Sequence, residues 1–413
     1  MIDRIAYRQA LAAGLRNFPA VAILGPRQVG KSSLAVAFLQ GLPAARRLAA
    51  FDLERPAHLD RLSLSPEEDL GGLQTRPGII VIDEVQRLPG LFTVLRPLLD
   101  ASSRKARYIL LGSAAPSVVR GVSESLAGRI AFLDLSPFSL VEVATADAMG
   151  WKRLWMRGGM PRSFLARSDR DSFAWREEYM RAFVERDLPA LGLSSAAASV
   201  RRLLTMLAHW HGGVLNVSEL ASSLSVSHPT ASHYLDLLEG AFMIRRVPPF
   251  WANMRKRLVK APKVYLRDSG VLHQLLSLPS NEAVRSHPKV GASFEGWVIE
   301  QVLSALRLAG EHVEPFYWRT HGGAEVDLLL RLGQKVVPIE VKLGDTPRPG
   351  RGLIECMKDL SLNRGIVMHG GSDSFPLSKS IDALSCTLLA HPKDLLKALR
   401  RPLAHGTQPK MIR

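Results

Sequence analysis

The stretch Gly25-Pro26-Arg27-Gln28-Val29-Gly30-Lys31-Ser32 has the pattern Gly-x-x-x-x-Gly-Lys-Ser. A short apolar run at 20–24 precedes it and a helix-forming run at 33–39 follows it, so strand, loop and helix come in that order. The backbone N–H groups of such a loop, together with the N-terminus of its helix, bind phosphate oxygens. We therefore predict a nucleoside-triphosphate site here, rather than a chance glycine turn.

Individual roles follow from the chemistry of this loop. Lys31 is predicted to place its positive charge on the β- and γ-phosphates, and the Ser32 hydroxyl to ligate Mg²⁺. The expected cofactors are accordingly ATP and Mg²⁺. Contacts with the nucleotide are predicted for the whole loop and the residue after it: Gly25, Pro26, Arg27, Gln28, Val29, Gly30, Lys31, Ser32 and Ser33.

A second signal is an apolar run, Ile79 to Ile82, that ends in Asp83 and Glu84. An unbroken apolar run is typical of a central parallel strand, which is buried on both faces. At the C-terminal end of this strand, Asp83 is predicted to hold the Mg²⁺ shell, and Glu84 to orient or deprotonate the attacking water. The alternative is a cluster of acids at a helix N-terminus, which has no catalytic role.

Two further residues are candidates for the same site. Ser113 follows the apolar strand at 108–112 and is predicted to sense the γ-phosphate, unless it is a plain turn serine. Arg129 is a candidate arginine finger, acting within its own subunit or on a neighbour, and a surface arginine is the alternative. Strands that alternate with helices predict a doubly wound parallel sheet, with its ligand site at the carboxyl ends of the strands.

Three motifs together resemble a group of uncharacterised prokaryotic AAA+-like P-loop ATPases: Gly-Pro-Arg-Gln-Val-Gly-Lys-Ser at 25–32, Ile-Asp-Glu-Val-Gln at 82–86 and Ser-Leu-Ala-Gly-Arg at 125–129. The resemblance covers nearly the whole chain and implies ATP binding and hydrolysis. It also implies that the C-terminal half is a domain of unknown function. From the residues themselves, we predict an ATPase domain at 1–140 and a helical linker or lid at 141–195. In the family a second polar residue commonly follows the sensor serine, whereas Ala114 and Ala115 follow it here.

Composition points to a polyanionic partner. The 413 residues include 54 Lys and Arg against 38 Asp and Glu, a formal net charge of +16, and DNA is the expected partner unless the basic surface is merely solvated. Two cysteines, Cys356 and Cys386, exclude a disulfide framework and a cysteine-based metal cluster. Neither a signal core nor a long apolar run is present, which predicts a cytoplasmic protein without membrane contact. A homo-oligomer is left open.

Residues 196–275 predict a winged-helix domain. Helices at 201–211, 216–224 and 228–239 are followed by an apolar run and Arg245-Arg246, in the position of a wing. The second helix of a helix-turn-helix pair enters the major groove of DNA. Its leading residues suit phosphate contacts more than base reading, and the basic run at 255–257 supports an anionic partner. These leading residues are His228, Thr230, Ser232 and His233. The alternative use of such a domain is packing or oligomerisation.

Residues 285–398 predict an α/β domain organised around a β-hairpin that turns at Gly333-Gln334. Cross-strand partners then have residue numbers that sum to 667, since the centre of the turn lies between those two residues. Asp327 is expected opposite Glu340, and Glu325 opposite Lys342. On the other face, Val326, Leu328 and Leu330 are expected to form one apolar surface with their partners Val341, Ile339 and Val337.

Opposed carboxylates repel each other, and a divalent cation would relieve this repulsion at Asp327 and Glu340. Lys342 would then stabilise negative charge in a transition state. The arrangement Asp…Glu-x-Lys resembles the PD-(D/E)xK nuclease superfamily and its restriction-endonuclease-like fold. The resemblance implies a further acid on an upstream helix, for which Glu295 is the candidate metal ligand and Glu300 the reserve. The alternatives are an inactive nucleic-acid clamp or an ordinary hairpin with a Glu325–Lys342 ion pair.

The predicted fold class is therefore α/β: a P-loop ATPase domain, a helical and winged-helix middle, a nuclease-like domain, and a basic tail at 399–413. The predicted function is an ATPase that acts on DNA, with metal-dependent cleavage left open. The alternative is an ATP-dependent regulatory switch whose C-terminal domain binds protein or nucleic acid without cutting. A purely structural role fits poorly with intact Lys31, Asp83 and Glu84.

Overall fold

The computed structural model describes residues 2–101, 105–113, 126–143, 150–190, 192–193, 197–250 and 259–401. Within these residues, the chain forms a parallel sheet, a helical middle with a small hairpin, and a mixed sheet. No helix in the described ranges is long and apolar enough to cross a membrane.

The N-terminal sheet has five parallel strands in the order β2-β3-β4-β1-β5. Apolar clusters cover both of its faces, as the unbroken apolar strand sequences predict, so the doubly wound fold is confirmed. The strands are β1 (Ala20–Leu24), β2 (Arg47–Asp52), β3 (Gly78–Asp83), β4 (Ala106–Gly112) and β5 (Ile130–Asp134). The helices are α1 (Ile5–Asn17), α2 (Lys31–Gln40), α3 (Pro56–Leu64), α4 (Pro66–Gln74) and α5 (Leu91–Asp100).

The middle of the chain is helical and ends in a two-stranded antiparallel hairpin. Side-chain oxygens of Asn216 and Ser227 accept hydrogen bonds from backbone N–H groups and so cap α12 (Val217–Leu224) and α13 (His228–Gly240). The helices are α6 (Leu140–Val143), α7 (Gly150–Arg157), α8 (Pro161–Phe164), α9 (Asp169–Ala182), a π-helical turn (Phe183–Asp187), α10 (Leu188–Ala190), α11 (Ala197–Trp210), α12 (Val217–Leu224) and α13 (His228–Gly240). The strands are β6 (Ile244–Val247) and β7 (Lys263–Leu266).

The C-terminal sheet has six strands in the order β12-β13-β11-β10-β9-β8. Its helices are α14 (Ser269–Leu275), α15 (Asn281–Ser286), α16 (Val290–Leu308), α17 (Arg351–Asp359) and α18 (Pro392–Arg400). Its strands are β8 (Glu314–Arg319), β9 (Glu325–Leu332), β10 (Lys335–Lys342), β11 (Gly365–His369), β12 (Phe375–Pro376) and β13 (Ile381–Ser385). The helix α16 packs on one face of the sheet and α17 on the other.

The hairpin of β9 and β10 has the predicted register over five pairs, from Lys335–Leu332 to Ile339–Leu328. Gly333 has a φ of 61°, the left-handed conformation that a two-residue turn requires. The pairing of β10 with β11 begins only at Ile339, so the missing N–H of Pro338 leaves no gap in that ladder.

Beyond Leu328 the predicted register is wrong. The pairing of β8 with β9 shifts by one residue between Phe316 and Trp318, which marks a β-bulge on β9. A bulge transfers the residues beyond it to the other face of the sheet. Val326 therefore lies on the same face as Leu329, in the apolar cluster that includes residues of α17. Leu328 lies on the opposite face, in the cluster that includes residues of α16.

A single hydrophobic cluster runs from Phe138 to Leu399 and includes buried residues of the middle helices, α16 and the C-terminal sheet. The ranges predicted as separate winged-helix and nuclease-like domains, 196–275 and 285–398, therefore share one core. Motion of the middle helices relative to the C-terminal sheet would disrupt that core.

Several local predictions need correction or fall outside the described ranges. Between β13 and α18 the chain forms a 3₁₀ helix (Cys386–Ala390). The predicted tail at 399–413 begins inside α18, and 402–413 lie outside the described residues, as do the basic run at 255–257, Ala114, Ala115 and Ser125.

Candidate functional site

Left-handed backbone conformations shape the loop that follows β1. Gln28 has a φ of 60° and Gly30 a φ of 97°. Such turns direct successive N–H groups into one concave surface, which suits an anion. At Gly25 the chain passes so close to the carbonyl oxygen of Leu135 that a Cβ would lie 2.3 Å from it, so only glycine fits.

Lys31 is buried, with 5% of its surface exposed. Its Nζ donates to the carbonyl oxygens of Gly25 and Pro26, both at 3.0 Å, and to Ser113 Oγ at 2.9 Å. None of these three acceptors carries a charge. Burial lowers the pKa of Lys31 from 10.5 to about 8, because desolvation disfavours the ammonium. The loop therefore holds a cation that a phosphate group would stabilise.

Ser32 and Asp83 meet at the carboxyl edge of the sheet. Ser32 Oγ donates to Asp83 Oδ2 at 2.6 Å, and the backbone N–H of Glu84 donates to Asp83 Oδ1 at 2.8 Å. Burial raises the pKa of Asp83. A hydroxyl and a carboxylate in contact are a donor set that fits Mg²⁺, which prefers oxygen ligands and keeps part of its water shell.

Glu84 and Ser113 complete a hydrogen-bonded chain with Lys31. Ser113 Oγ donates to Glu84 Oε1 at 3.2 Å, and Gln86 Nε2 donates to Glu84 Oε2. Glu84 itself has a φ of 55°, an uncommon conformation for a residue other than glycine. The structure thus brings together Lys31, Ser32, Asp83, Glu84 and Ser113, all of which were predicted from the sequence.

Arg129 does not lie at this site. It precedes β5, whose first residue, Ile130, pairs with Ala20 at the amino end of β1. Its guanidinium binds Asp100 through two hydrogen bonds, of 2.5 and 2.8 Å. The predicted role as an arginine finger within the same subunit is therefore wrong, because the loop lies at the opposite, carboxyl edge of the sheet.

Arg4 is a site residue that the sequence did not indicate. Its guanidinium donates to the carbonyl oxygen of Val29 at 3.2 Å and to that of Ser136 at 2.8 Å, and it forms a buried ion pair with Glu142. Arg4 therefore fixes the phosphate loop against the start of the middle helices. Glu142 lies 138 residues away along the chain, so no local pattern could have revealed the pair.

A cavity of about 900 Å³ adjoins the loop on the side of Gly30. Apolar side chains from three parts of the chain line it: Ile2 at the N-terminus, Leu34 on α2, and Phe138 and Leu165 in the middle segment. Its volume lies within the range of small-molecule sites in proteins.

A second buried lysine, Lys263 on β7, lies among carboxylates of the C-terminal part. Its Nζ is 2.5 Å from Glu325 Oε1, 3.0 Å from Glu295 Oε1 and 3.9 Å from Asp327 Oδ1. Only 1% of the Lys263 side chain is exposed. Although burial opposes it, the surrounding carboxylates hold the pKa of Lys263 well above its usual value. An ammonium thus lies beside two of the predicted metal-ligating acids, Glu295 and Asp327.

The predicted metal ligands are not gathered into one site. Glu295 and Asp327 share Lys263, whereas Glu340 accepts from the N–H of Gly350 at 2.7 Å and pairs with Lys342 at 2.8 Å. The Asp327 carboxylate instead accepts from the N–H of Val341 at 2.8 Å. Across the described ranges no cluster of three His, Cys, Asp or Glu side chains is arranged to hold a metal ion.

Two alternatives from the sequence are also resolved by these contacts. Glu325 pairs with Lys263 and Arg319, so the expected Glu325–Lys342 ion pair is wrong. Glu300, the reserve candidate for the metal ligand, forms ion pairs with Arg245 and Arg267 and does not join the acids of the hairpin. Burial would raise the pKa of Glu300, but the two arginines outweigh it and lower the pKa to about 2.

Family models match three consecutive segments of the chain. An AAA domain matches 17–144, a domain of unknown function (DUF8612) matches 149–282, and a second domain of unknown function (DUF4143) matches 290–389. The predicted AAA+-like P-loop ATPase with a C-terminal domain of unknown function is confirmed.

Relatives are similar over most of the chain. The uncharacterized proteins Rv2008c of Mycobacterium tuberculosis and Mb2031c of Mycobacterium bovis are each 42% identical over 384 residues, which cover 93% of this chain and 84% of theirs. Among solved structures, the Walker-type ATPase PABY2304 of Pyrococcus abyssi is 17% identical, with a TM-score of 0.44 over 67% of this chain and 96% of its own. DnaA of Aquifex aeolicus is 15% identical, with a TM-score of 0.26 over 58% of this chain and 88% of its own.

Proposed function

We propose that this chain, which belongs to the family of the mycobacterial protein Rv2008c, hydrolyses ATP at its phosphate loop and that this hydrolysis controls its contact with DNA. The observation that carries the ATPase proposal is the buried ammonium of Lys31, whose three hydrogen-bond acceptors are all uncharged. Keeping a desolvated cation without an ionised partner is unfavourable, and it is typical of a site arranged for an anionic ligand.

The residues gathered at the phosphate loop then have separate roles. Lys31 binds the β- and γ-phosphates, and Ser113, already bonded to both Lys31 and Glu84, reports the presence of the γ-phosphate. Ser32 and Asp83 would hold Mg²⁺, which neutralises phosphate charge when it is bound. Glu84 orients the attacking water and accepts its proton.

The apolar cavity beside Gly30 supports a place for the nucleoside. Its lining combines α2, which begins at Lys31, with the N-terminal segment and the middle helices. A base bound between these parts would connect the ATPase sheet to α8, because Pro161 and Leu165 line the same cavity. Binding and release of the nucleotide would therefore affect the middle segment directly.

The test is a comparison of Glu84→Gln with the exposed acid variant Glu68→Gln. We expect Glu84→Gln to bind ATP with near-normal affinity while its turnover falls by roughly 10²- to 10⁴-fold, since general-base groups contribute that much. Glu68 lies in α4 on the surface of the same domain and its variant is expected to keep wild-type turnover. Full turnover in Glu84→Gln, or a wild-type protein that does not bind ATP, would contradict the proposal.

DNA contact is proposed for the three helices α11 to α13 and the hairpin of β6 and β7. Three helices followed by a two-stranded hairpin are the arrangement of a winged helix. Ser227, His228 and His233 are exposed along the leading part of α13. The net charge of +16 also favours a polyanion.

If phosphate contacts dominate, binding to duplex DNA should weaken steeply between 50 and 200 mM salt, by about 10³-fold for roughly six neutralised phosphates. Fluorescence anisotropy with a labelled duplex would measure this dependence. A complex that is insensitive to salt, or no complex at any salt concentration, would count against DNA as the partner.

The position of Lys263 favours a second candidate function, in which the C-terminal part binds protein or nucleic acid without cutting it. Its ammonium pairs with Glu295 and Glu325 and lies 3.9 Å from Asp327, and so takes over part of what a divalent cation would do there. Burial and Glu295 nevertheless raise the pKa of Asp327 to about 8. We expect no nicking of plasmid, single-stranded or branched DNA with Mg²⁺ or Mn²⁺. Metal-dependent nicking that disappears in Glu340→Ala would instead establish a nuclease.

A further inference from the structure

Arg27 is a loop residue whose side chain does not point toward the phosphate nest. Its guanidinium lies 3.1 Å from Glu54 Oε1 and 3.8 Å from Glu84 Oε2. Its other terminal nitrogen is 3.2 Å from Asp187 Oδ1. Arg27 therefore joins three carboxylates from different parts of the chain, one of which is the candidate water-activating group.

Asp187 reaches Arg27 from the middle segment through an unusual backbone. It is the last residue of the π-helical turn Phe183–Asp187, between α9 and α10. A π turn adds a residue to the helix, which rotates all later side chains by about 100°, and such turns are frequent at functional sites. Asp187 is 6% exposed, whereas its neighbour Glu185 points outward and pairs with Arg201.

A cavity of about 720 Å³ separates this turn from the sheet. Its wall includes Arg27, Gln86 and Ser113 on the ATPase side, and Phe183 and Asp187 on the other. Across this gap, the contact of Asp187 with Arg27 is a direct polar connection between the middle segment and the side chains that surround Glu84.

We infer that Asp187 is a positioning residue for hydrolysis: it holds Arg27 so that the guanidinium fixes the orientation of Glu84. The role rests on the proposed ATPase function. Without Asp187, Arg27 turns fully toward Glu54 or Glu84, and the Glu84 carboxylate leaves the hydrogen-bonded chain with Ser113. Phosphate binding by Lys31 should change little, because Arg27 and Asp187 act on Lys31 only through longer-range charge, and their effects on its pKa oppose each other.

The experiment compares Asp187→Asn, Asp187→Glu and Glu185→Gln. We expect Asp187→Asn to lower kcat by about tenfold, since small displacements of catalytic groups cost that much or more, with KM for ATP within about twofold of wild type. Asp187→Glu should recover most of kcat. Glu185→Gln, which removes a carboxylate from the same turn on its outer side, should match wild type.

A second measurement follows the turn itself by hydrogen exchange of 183–190, with and without a non-hydrolysable ATP analogue. The analogue should change exchange there in wild type and in Asp187→Glu, but not in Asp187→Asn. An active wild type with unchanged kcat and exchange response in Asp187→Asn would overturn this role alone. A wild type that neither binds nor hydrolyses ATP would overturn the proposed function, and this role with it.

Discussion

Among the residues that the structure describes, two lysine side chains are buried, and their surroundings are opposite. Lys31 has only uncharged acceptors within hydrogen-bonding distance, and burial lowers its pKa to about 8. Lys263 lies among Glu295, Glu325 and Asp327, and despite burial these carboxylates raise its pKa. The ammonium of Lys31 has no charged hydrogen-bond partner among the described residues, whereas the ammonium of Lys263 is paired with carboxylates.

This contrast indicates which of the two sites is arranged for a ligand. A buried charge that is compensated by several fixed charges belongs to the architecture, since its removal leaves those charges unpaired. A buried charge without an ionised hydrogen-bond partner lowers the stability of the nucleotide-free protein, even where nearby carboxylates, here Glu84 and Asp83, offset part of the cost. The first situation describes Lys263, which connects β7 to the C-terminal sheet, and the second describes Lys31.

The largest effect is expected for Lys263→Met. Removing one partner of a buried ionic cluster leaves uncompensated carboxylates, so the free energy of unfolding should fall by about 3–5 kcal/mol. Urea denaturation measures this change. Arg319→Met is the matched control, because Arg319 pairs with the same Glu325 from a side chain that is 39% exposed, and its loss should cost at most about 1 kcal/mol. Equal losses of unfolding free energy in the two variants would contradict the interpretation that Lys263 is a buried architectural charge.

Lys31→Met should have the opposite sign without nucleotide. The lowering of the Lys31 pKa by burial corresponds to about 3 kcal/mol of unfavourable charge burial, partly offset by three hydrogen bonds. The free energy of unfolding of the nucleotide-free variant should therefore be unchanged or higher by up to about 2 kcal/mol. An ATP analogue should stabilise only the wild type. A loss of stability like that of Lys263→Met would contradict this interpretation.

The most gradual effect concerns pH. Between pH 8 and 10.5 the folded protein binds fewer protons at Lys31 than the unfolded chain does, so the stability of the nucleotide-free protein should rise with pH there. This contribution is at most about 1.4 kcal/mol per pH unit. Bound phosphate favours the ammonium and should abolish the rise.

Thermal unfolding of wild type and Lys31→Met across this range isolates the contribution of Lys31. The rise should be absent in the variant. Lys263 contributes no rise of this kind, since its pKa is shifted upward. A rise that persists in Lys31→Met would assign it to another group.

The two sites also differ in how well the sequence predicted them. The loop motif and the acidic end of β3 located Lys31, Ser32 and Asp83, because strands with short loops bring these residues to one sheet edge. The hairpin register was correct up to Leu328, where side-chain alternation and the turn suffice. It failed at the bulge, because an extra residue in one strand leaves no mark in an apolar pattern.

Local sequence was enough to predict the phosphate loop, the parallel sheet and the hairpin turn, because each depends on neighbouring residues and on backbone preferences. The partners of the acidic side chains, in contrast, depend on contacts between distant parts of the fold. Lys263 meets Glu295 across 32 residues, and Arg4 meets Glu142 across 138. Such pairs form only when a shared core brings distant elements together, so the same carboxylate could have held a metal, an arginine or a lysine. In this protein, packing places Lys263 beside Glu295, Glu325 and Asp327, whereas the hydrogen-bond acceptors of Lys31 in the phosphate loop site are uncharged.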